Sequence, residues 1–259
     1  MSRGISACGR LALVLLALAW PQQFLSAQEN IYPEGAEGGQ QLAAKLRANQ
    51  PAEDSHWDGT LQITGHNHKM ISVPVVCTTL TTVSNWTVTY VTTETNGAGA
   101  EKLVVIHAGE APNQYLYAQA AAGAALGEPK PVSAADADVA LGGSDFWLSD
   151  LGFEFYHWPE QRVRKDLGSV RRSRGVHVLE SVNPHPTPGG YGRVVTFIDK
   201  ESEAPIEASA YAADGKTKLK EFSLGSVTKI NGHYELKDME ISNRKAGSHT
   251  TLLFDLKTK

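Results

Sequence analysis

From Trp57 onward the apolar residues of this chain recur at every second position, a period that a helix cannot bury on one face and a strand can. Trp57, Leu61 and Ile63 alternate with polar or small residues, and Ile71, Val73, Val75 and Cys77 do the same. Trp86, Val88 and Tyr90 are interleaved with Thr87 and Thr89. Each run presents one apolar and one polar face, the pattern of a half-buried antiparallel strand. Leu103 to Ile106 is apolar on both faces, which predicts a strand inside the sheet, and the Asn96-Gly97-Ala98-Gly99 tract before it reads as a turn. Further strands are expected over 176–181, 193–199, 205–211, 218–224, 234–237, 239–243 and 250–256, with Asp214-Gly215 as a hairpin turn between the third and fourth of these. About ten or eleven strands with two short helical segments favour a mainly β, α+β chain built on a large curved antiparallel sheet or a barrel.

The N-terminal end obeys different rules. Arg3 and Arg10 precede the apolar run Leu11 to Trp20, followed by Pro21 and Leu25-Ser26-Ala27, the order of a secretory signal with cleavage after Ala27. The run is about ten residues, half of what a membrane-spanning helix needs. Cys8 lies before it, so the lipid-attachment layout of a bacterial lipoprotein is missing. The expected organisation is therefore a signal peptide over 1–27, a leader with an N-terminal helix over 28–56, and one curved antiparallel sheet domain over 57–259. In the second part, Leu42, Ala43 and Leu46 give a narrow apolar stripe over Gln40 to Ala48. Nine residues are marginal as an isolated helix, so this one must dock. Without residues 1–27 the chain carries 22 basic against 28 acidic residues. That balance argues against general nucleic-acid binding. Cys77 is then the only cysteine, so stability has to come from a packed core and not from a disulfide.

Three stretches break the alternation. Residues 118–140 are Ala-rich with Gly and Pro, and read as a mobile connection. Phe146, Trp147, Phe153, Phe155, Tyr156 and Trp158 fall within 13 residues, with Leu151 among them. They are either a hydrophobic plug packed into the sheet or a lid over an apolar pocket. Arg162, Arg164, Lys165, Arg171, Arg172 and Arg174 put six cations into 13 residues of an otherwise acidic chain. They form a solvated face, or a contact for anionic lipid headgroups at a membrane surface or for an acidic partner.

Catalytic and metal-binding patterns are weak. Gly142-Gly143-Ser144-Asp145-Phe146 lacks the last glycine of a nucleophile elbow and reads as a turn with a helix cap. Gly189-Gly190-Tyr191-Gly192 fits a tight turn between strands better than a phosphate loop. His66-Asn67-His68 could supply half a metal site, but no carboxylate or cysteine at ligand spacing completes it, so a hairpin tip is expected and no metal or cofactor is assigned. Cys77 alternates with Val73 and Val75 as a small buried residue would.

Gly143-Ser144-Asp145-Phe146 followed by Asp150-Leu151, then Asp199, Pro205, Tyr211 and Asp214-Gly215-Lys216, then Met239 to Asn243 with Gly247 to Thr250, together resemble the outer-membrane lipoprotein-sorting family, relatives of the periplasmic lipoprotein carriers LolA and LolB. The resemblance spans residues 141–256. It implies a half-open antiparallel β-barrel wrapped around a short helical lid near 144–160, with an apolar cavity between them that takes acyl chains. On that reading the protein is a periplasmic, non-enzymatic carrier of lipoprotein acyl chains or other lipids. Phe146, Trp147, Leu151, Phe153, Phe155 and Trp158 are then lid or cavity-wall residues, and an inner-membrane donor or outer-membrane acceptor protein is the expected partner. The alternatives are an envelope scaffold whose cavity is filled by its own side chains, and a hydrolase using an unrecognised Ser or His.

Overall fold

The computed structural model describes residues 32–95, 97–230 and 233–256, with the backbone alone at 227–230 and 233–235. The expected export signal over 1–27 and the first part of the leader lie outside the described residues. The chain enters through helix α1 (Ala36–Ala48) and runs into a meander of β1 (Ser55–Thr64), β2 (Met70–Thr81), β3 (Trp86–Thr92), β4 (Glu101–Ala108), β5 (Ala111–Gln119) and β6 (Lys130–Val132). A segment of short helical turns follows, containing α2 (Leu148–Leu151) and a 3₁₀ turn at Glu154–His157. The chain then returns through β7 (Glu160–Val163), β8 (Val170–Arg171), β9 (Arg174–Val182), β10 (Arg193–Asp199), β11 (Pro205–Tyr211) and β12 (Lys218–Leu224). A separate hairpin of β13 (Val227–Ile230) and β14 (His233–Leu236) precedes β15 (Asp238–Asn243) and β16 (Ser248–Phe254).

The main sheet has the order β6-β5-β4-β3-β2-β1-β16-β15-β12-β11-β10-β9-β7, with β8 paired to β9 alone. Its two meanders join in the middle, where β1 pairs antiparallel with β16 and Leu61 lies opposite Leu252. The ends do not meet, so this is the half-open sheet that the resemblance implies. One edge, β6, is only three residues long. The other, β7, is covered by the entry to α1, where Gly35 and Val163 exchange backbone hydrogen bonds of 3.0 and 2.9 Å. A short edge and a covered edge both discourage strand addition by another chain.

The inner face of the sheet carries the alternating residues read from the sequence: Leu61, Val73, Val75, Val88, Leu103 and Val105 are buried there. Leu42, Ala43 and Leu46 of α1 and Phe146, Leu148, Leu151 and Phe155 of the helical segment pack against them in one core. A smaller cluster of Val176, Val178 and Val195 with Phe197, Ile206 and Tyr211 covers another part of the sheet.

Two expectations are corrected. Helix α1 starts at Ala36, four residues before the Gln40 expected, because Gly38 and Gly39 are buried helical residues. A Cβ on Gly39 would lie 2.3 Å from the backbone of Gln161 and Arg162, so only glycine lets the helix come this close to β7. Residues 118–140 are not a loose connection. Lys130–Val132 pairs with β5, Ser133 caps a 3₁₀ turn at Ala134–Asp136, and Ala137 is fully buried, its carbonyl accepting from Ser149 N at 3.0 Å.

Candidate functional site

The helical segment lies across the inner face and is fastened there by buried polar groups. Asp145 accepts hydrogen bonds from Ser248 Oγ at 2.6 Å and Thr250 Oγ1 at 3.0 Å, both on β16. Asp150 accepts from the Trp147 backbone N–H at 2.8 Å and from Lys220 Nζ on β12 at 3.0 Å. Glu154 accepts from Tyr115 Oη of β5 at 2.8 Å, and burial raises its carboxyl pKa. Gln161 donates to the carbonyls of Phe155 and Trp158, both at 2.9 Å. The acids of the Gly143-Ser144-Asp145-Phe146 and Asp150-Leu151 motifs therefore hold this segment on the sheet. Ser144 Oγ accepts only from Phe146 N at 3.1 Å and is buried, so it is a turn residue as expected.

Hollows lie beside the segment, two of which the described residues line. The larger, of about 520 Å³, runs between it and strands β1 to β3. Trp57, Cys77, Val88 and Tyr90 form one wall, Leu151 and Phe153 the other, and Trp86, Leu236 and Phe254 complete the apolar lining. Residues Gln50 to Glu53, leading out of α1, lie at its rim. Trp86 is braced from behind by His107, whose ring stacks on it at 3.8 Å. Phe153 holds its position in a left-handed backbone conformation, φ 49°, that a bulky side chain rarely adopts. Surrounding packing has to maintain it, and the ring lies 6.0 Å from Tyr156 and 6.1 Å from Phe155. The smaller hollow, of about 220 Å³, has Asp138, Asp150 and Glu154 in its lining beside Phe155 and Trp158.

The six aromatic-block candidates thus separate. Leu151 and Phe153 line the large groove. Phe155 and Trp158 line the smaller hollow. Phe146, 1% exposed, is core, and Trp147 stacks on Tyr191 at 4.6 Å and covers the Lys220 ammonium. Members of the one block are divided between the core and the two hollows. Most of the groove wall comes from residues that read as ordinary strand positions, Trp57, Trp86, Tyr90 and Phe254. The sequence marks Trp57 and Trp86 only as large rings on alternating strand positions; the structure leaves both half-buried.

The basic stretch is largely neutralised by the chain itself. Arg162 pairs with Glu160 at 2.8 Å, Arg164 with Asp166 and Glu180 at 2.8 and 2.7 Å, and Arg174 with Asp199 at 3.5 Å. Arg171 and Arg172 share Glu207. Of the six, only Lys165 has no carboxylate partner among the described residues. His66 and His68 are exposed at the tip between β1 and β2, and no group of three metal-binding side chains occurs among the described residues. Cys77 is 6% exposed, and burial pushes its thiol up to about 12, so little of it is the reactive thiolate. No described helix is long and apolar enough to cross a membrane.

Comparison with known proteins places this geometry. A family model described as an uncharacterized protein matches residues 84–257. No curated protein matches the sequence. Among solved structures, a proposed outer membrane lipoprotein-sorting protein domain from Vibrio parahaemolyticus superposes with a TM-score of 0.66 at 18% identity, covering 85% of this chain and 91% of that one. A DUF1329 family protein from Desulfovibrio piger gives 0.69 at 14% identity, over 86% and 92%. A LolA superfamily protein from Nitrosomonas europaea gives 0.56 at 13% identity, over 86% and 93%. At these identities the likeness establishes the fold.

Proposed function

Since the chain belongs to that family of uncharacterized proteins, matched from residue 84 to 257, and has the fold of a lipoprotein-sorting domain, we propose that it is a non-catalytic binder of hydrocarbon chains that works as a lipid or lipoprotein carrier in the bacterial cell envelope. The observation that carries this reading is the groove of about 520 Å³, walled by tryptophan, tyrosine, phenylalanine and leucine and not filled by the protein's own side chains. Ligand sites commonly measure about 300–1,000 Å³ and are mostly apolar. Each buried methylene contributes about 0.8 kcal/mol, so a chain of about 16 carbons offers roughly 12 kcal/mol before ordering costs. Apolar contact alone is enough to hold such a tail.

The cargo is the acyl chain of a lipoprotein or of another lipid, and a membrane-bound donor and acceptor are the partners such a carrier needs. Because the helical segment is tied to β5, β12 and β16 by buried polar contacts, entry past the Gln50–Glu53 rim requires less rearrangement than lifting the segment. An envelope scaffold that held another protein through the basic stretch is less favoured, because five of its six cations already pair with carboxylates of the chain.

Native mass spectrometry of protein purified from its own envelope tests the proposal. Bound lipid is expected, together with saturable binding of the neutral dye N-phenyl-1-naphthylamine that weakens in Trp86→Ala. A lipid-free protein that does not bind the dye would overturn the reading.

A further inference from the structure

The groove is charged on one side only. Glu53, at the rim, is the one charged side chain among the described residues that line it, and no described lysine, arginine or histidine reaches its wall. Glu53 is exposed. Asp54, next to it, accepts hydrogen bonds from Thr81 N and Oγ1 at 2.7 and 2.8 Å, which hold its carboxyl below the usual range and keep it ionised. Gln50, also at the rim, donates through Nε2 to the Thr82 carbonyl at 2.6 Å, which leaves its amide oxygen as an acceptor.

An amphiphile whose tail fills the apolar floor leaves its head toward the rim, where Gln50 and Glu53 lie, while Ser55 and Thr79 add only neutral hydroxyls to the lining. A carboxylate or phosphate head there meets Glu53, with the ionised Asp54 next in sequence and no cation in the described lining to offset the partial loss of its hydration. A hydroxyl, ester or amide head loses little there.

Resting on the hydrocarbon-binding role proposed above, we infer that the groove selects apolar chains with uncharged heads against the same chains with anionic heads, and that Glu53 is a specificity-determining residue. Two unit charges about 4 Å apart in water repel by about as much as a five-fold change in affinity represents. That sets the discrimination expected of an exposed rim carboxylate at low salt. Screening within a Debye length of about 10 Å at 0.1 M weakens it further.

The experiment titrates the full exported chain with dodecanol and with dodecanoate, at about pH 8 and low ionic strength, in wild type and in Glu53→Lys. The inference expects dodecanol to bind about five-fold more tightly in wild type, and the ratio to close or reverse in Glu53→Lys. Equal or tighter binding of dodecanoate by wild type overturns it. A preference that persists unchanged in Glu53→Lys also overturns it, since general desolvation of the carboxylate, and not Glu53, would then set the ratio. Binding of neither compound is a different result, because it removes the hydrocarbon-binding role itself.

Discussion

Lys220 Nζ lies 3.0 Å from Asp150 Oδ2 with both side chains at most 2% exposed, and 3.4 Å from the centre of the Trp147 ring. Burial is the largest influence on each partner, pushing the Asp150 carboxyl up and the Lys220 ammonium down, while their mutual attraction opposes both shifts. Such a pair adds little net stability, yet losing one partner strands a buried charge at a cost of about 3–5 kcal/mol. The expected outcome is that Lys220→Met lowers unfolding free energy by that order, measured in urea, and that adding Asp150→Asn recovers much of the loss. A Lys220→Met protein as stable as wild type would mean that the pair does not hold the helical segment on β12.

The close approach of α1 to β7 makes Gly39→Ala informative, because two known effects oppose each other. Alanine favours a helix over glycine by about 1 kcal/mol. The new Cβ, however, would sit 2.3 Å from the backbone of Gln161 and Arg162, which cannot swing aside as a side chain can. Overpacking of that kind costs about 1–3 kcal/mol, so the substitution is expected to destabilise the protein and to speed amide exchange in α1. Slower exchange would show that the contact is not tight.

Much of this architecture was legible because inward positions on most strands are apolar. The expected 193–199, 205–211 and 218–224 coincide with β10, β11 and β12. Strand β5 was not legible, since two of its inward residues, Asn113 and Tyr115, serve the Glu154 carboxylate, and Tyr115-Leu116-Tyr117 masks the period. Residues 118–140 misled for a related reason, as their order comes from pairing with β5 and from backbone contacts to the helical segment, neither of which composition records. In the candidate site, the aromatic block marked the right segment but could not show which rings turn toward the groove. That is decided by the left-handed turn at Phe153 and by Asp150 holding Trp147 on the far side.

Phe153 and Trp147 should therefore respond in opposite ways to truncation. Phe153→Ser removes a ring from the groove wall and is expected to weaken N-phenyl-1-naphthylamine binding by roughly ten-fold, in line with the 1.5–3 kcal/mol of a fully buried apolar side chain reduced for a half-buried one. Trp147 lines neither hollow and shields Lys220, so Trp147→Ser is expected to lower the thermal midpoint with a smaller effect on dye affinity. Titrations and melting curves on both variants check the pair. The reverse pattern would move the binding site to the other side of the segment.

Cys77 reports on the groove directly, because it is both a wall residue and the only described cysteine. With its thiol pushed up to about 12, almost none is thiolate at neutral pH, and thiolate is the form that reacts. Modification by 5,5′-dithiobis(2-nitrobenzoate) should be slow in the folded protein, slower when a hydrocarbon ligand occupies the groove, and fast in urea. Rapid reaction unaffected by ligand would argue that Cys77 does not face the space where the ligand lies.

The stack of His107 on Trp86 links the groove to acid stability. Burial, with the nearby His157 adding to it, lowers His107 from the ordinary value near 6.5 to about 4, and its Nε2 has no hydrogen-bond partner. The fold therefore holds the neutral ring, while the unfolded chain takes up a proton at higher pH. That contribution is complete above about pH 6.5, is lost as the pH falls toward 4, and levels off below, amounting to on the order of 3 kcal/mol. His157, also lowered to about 4, acts in the same direction. Phenylalanine keeps a ring against Trp86 and cannot titrate, so urea unfolding of His107→Phe between pH 7 and 4 should lose less stability than wild type. Parallel curves would place the acid sensitivity on other groups.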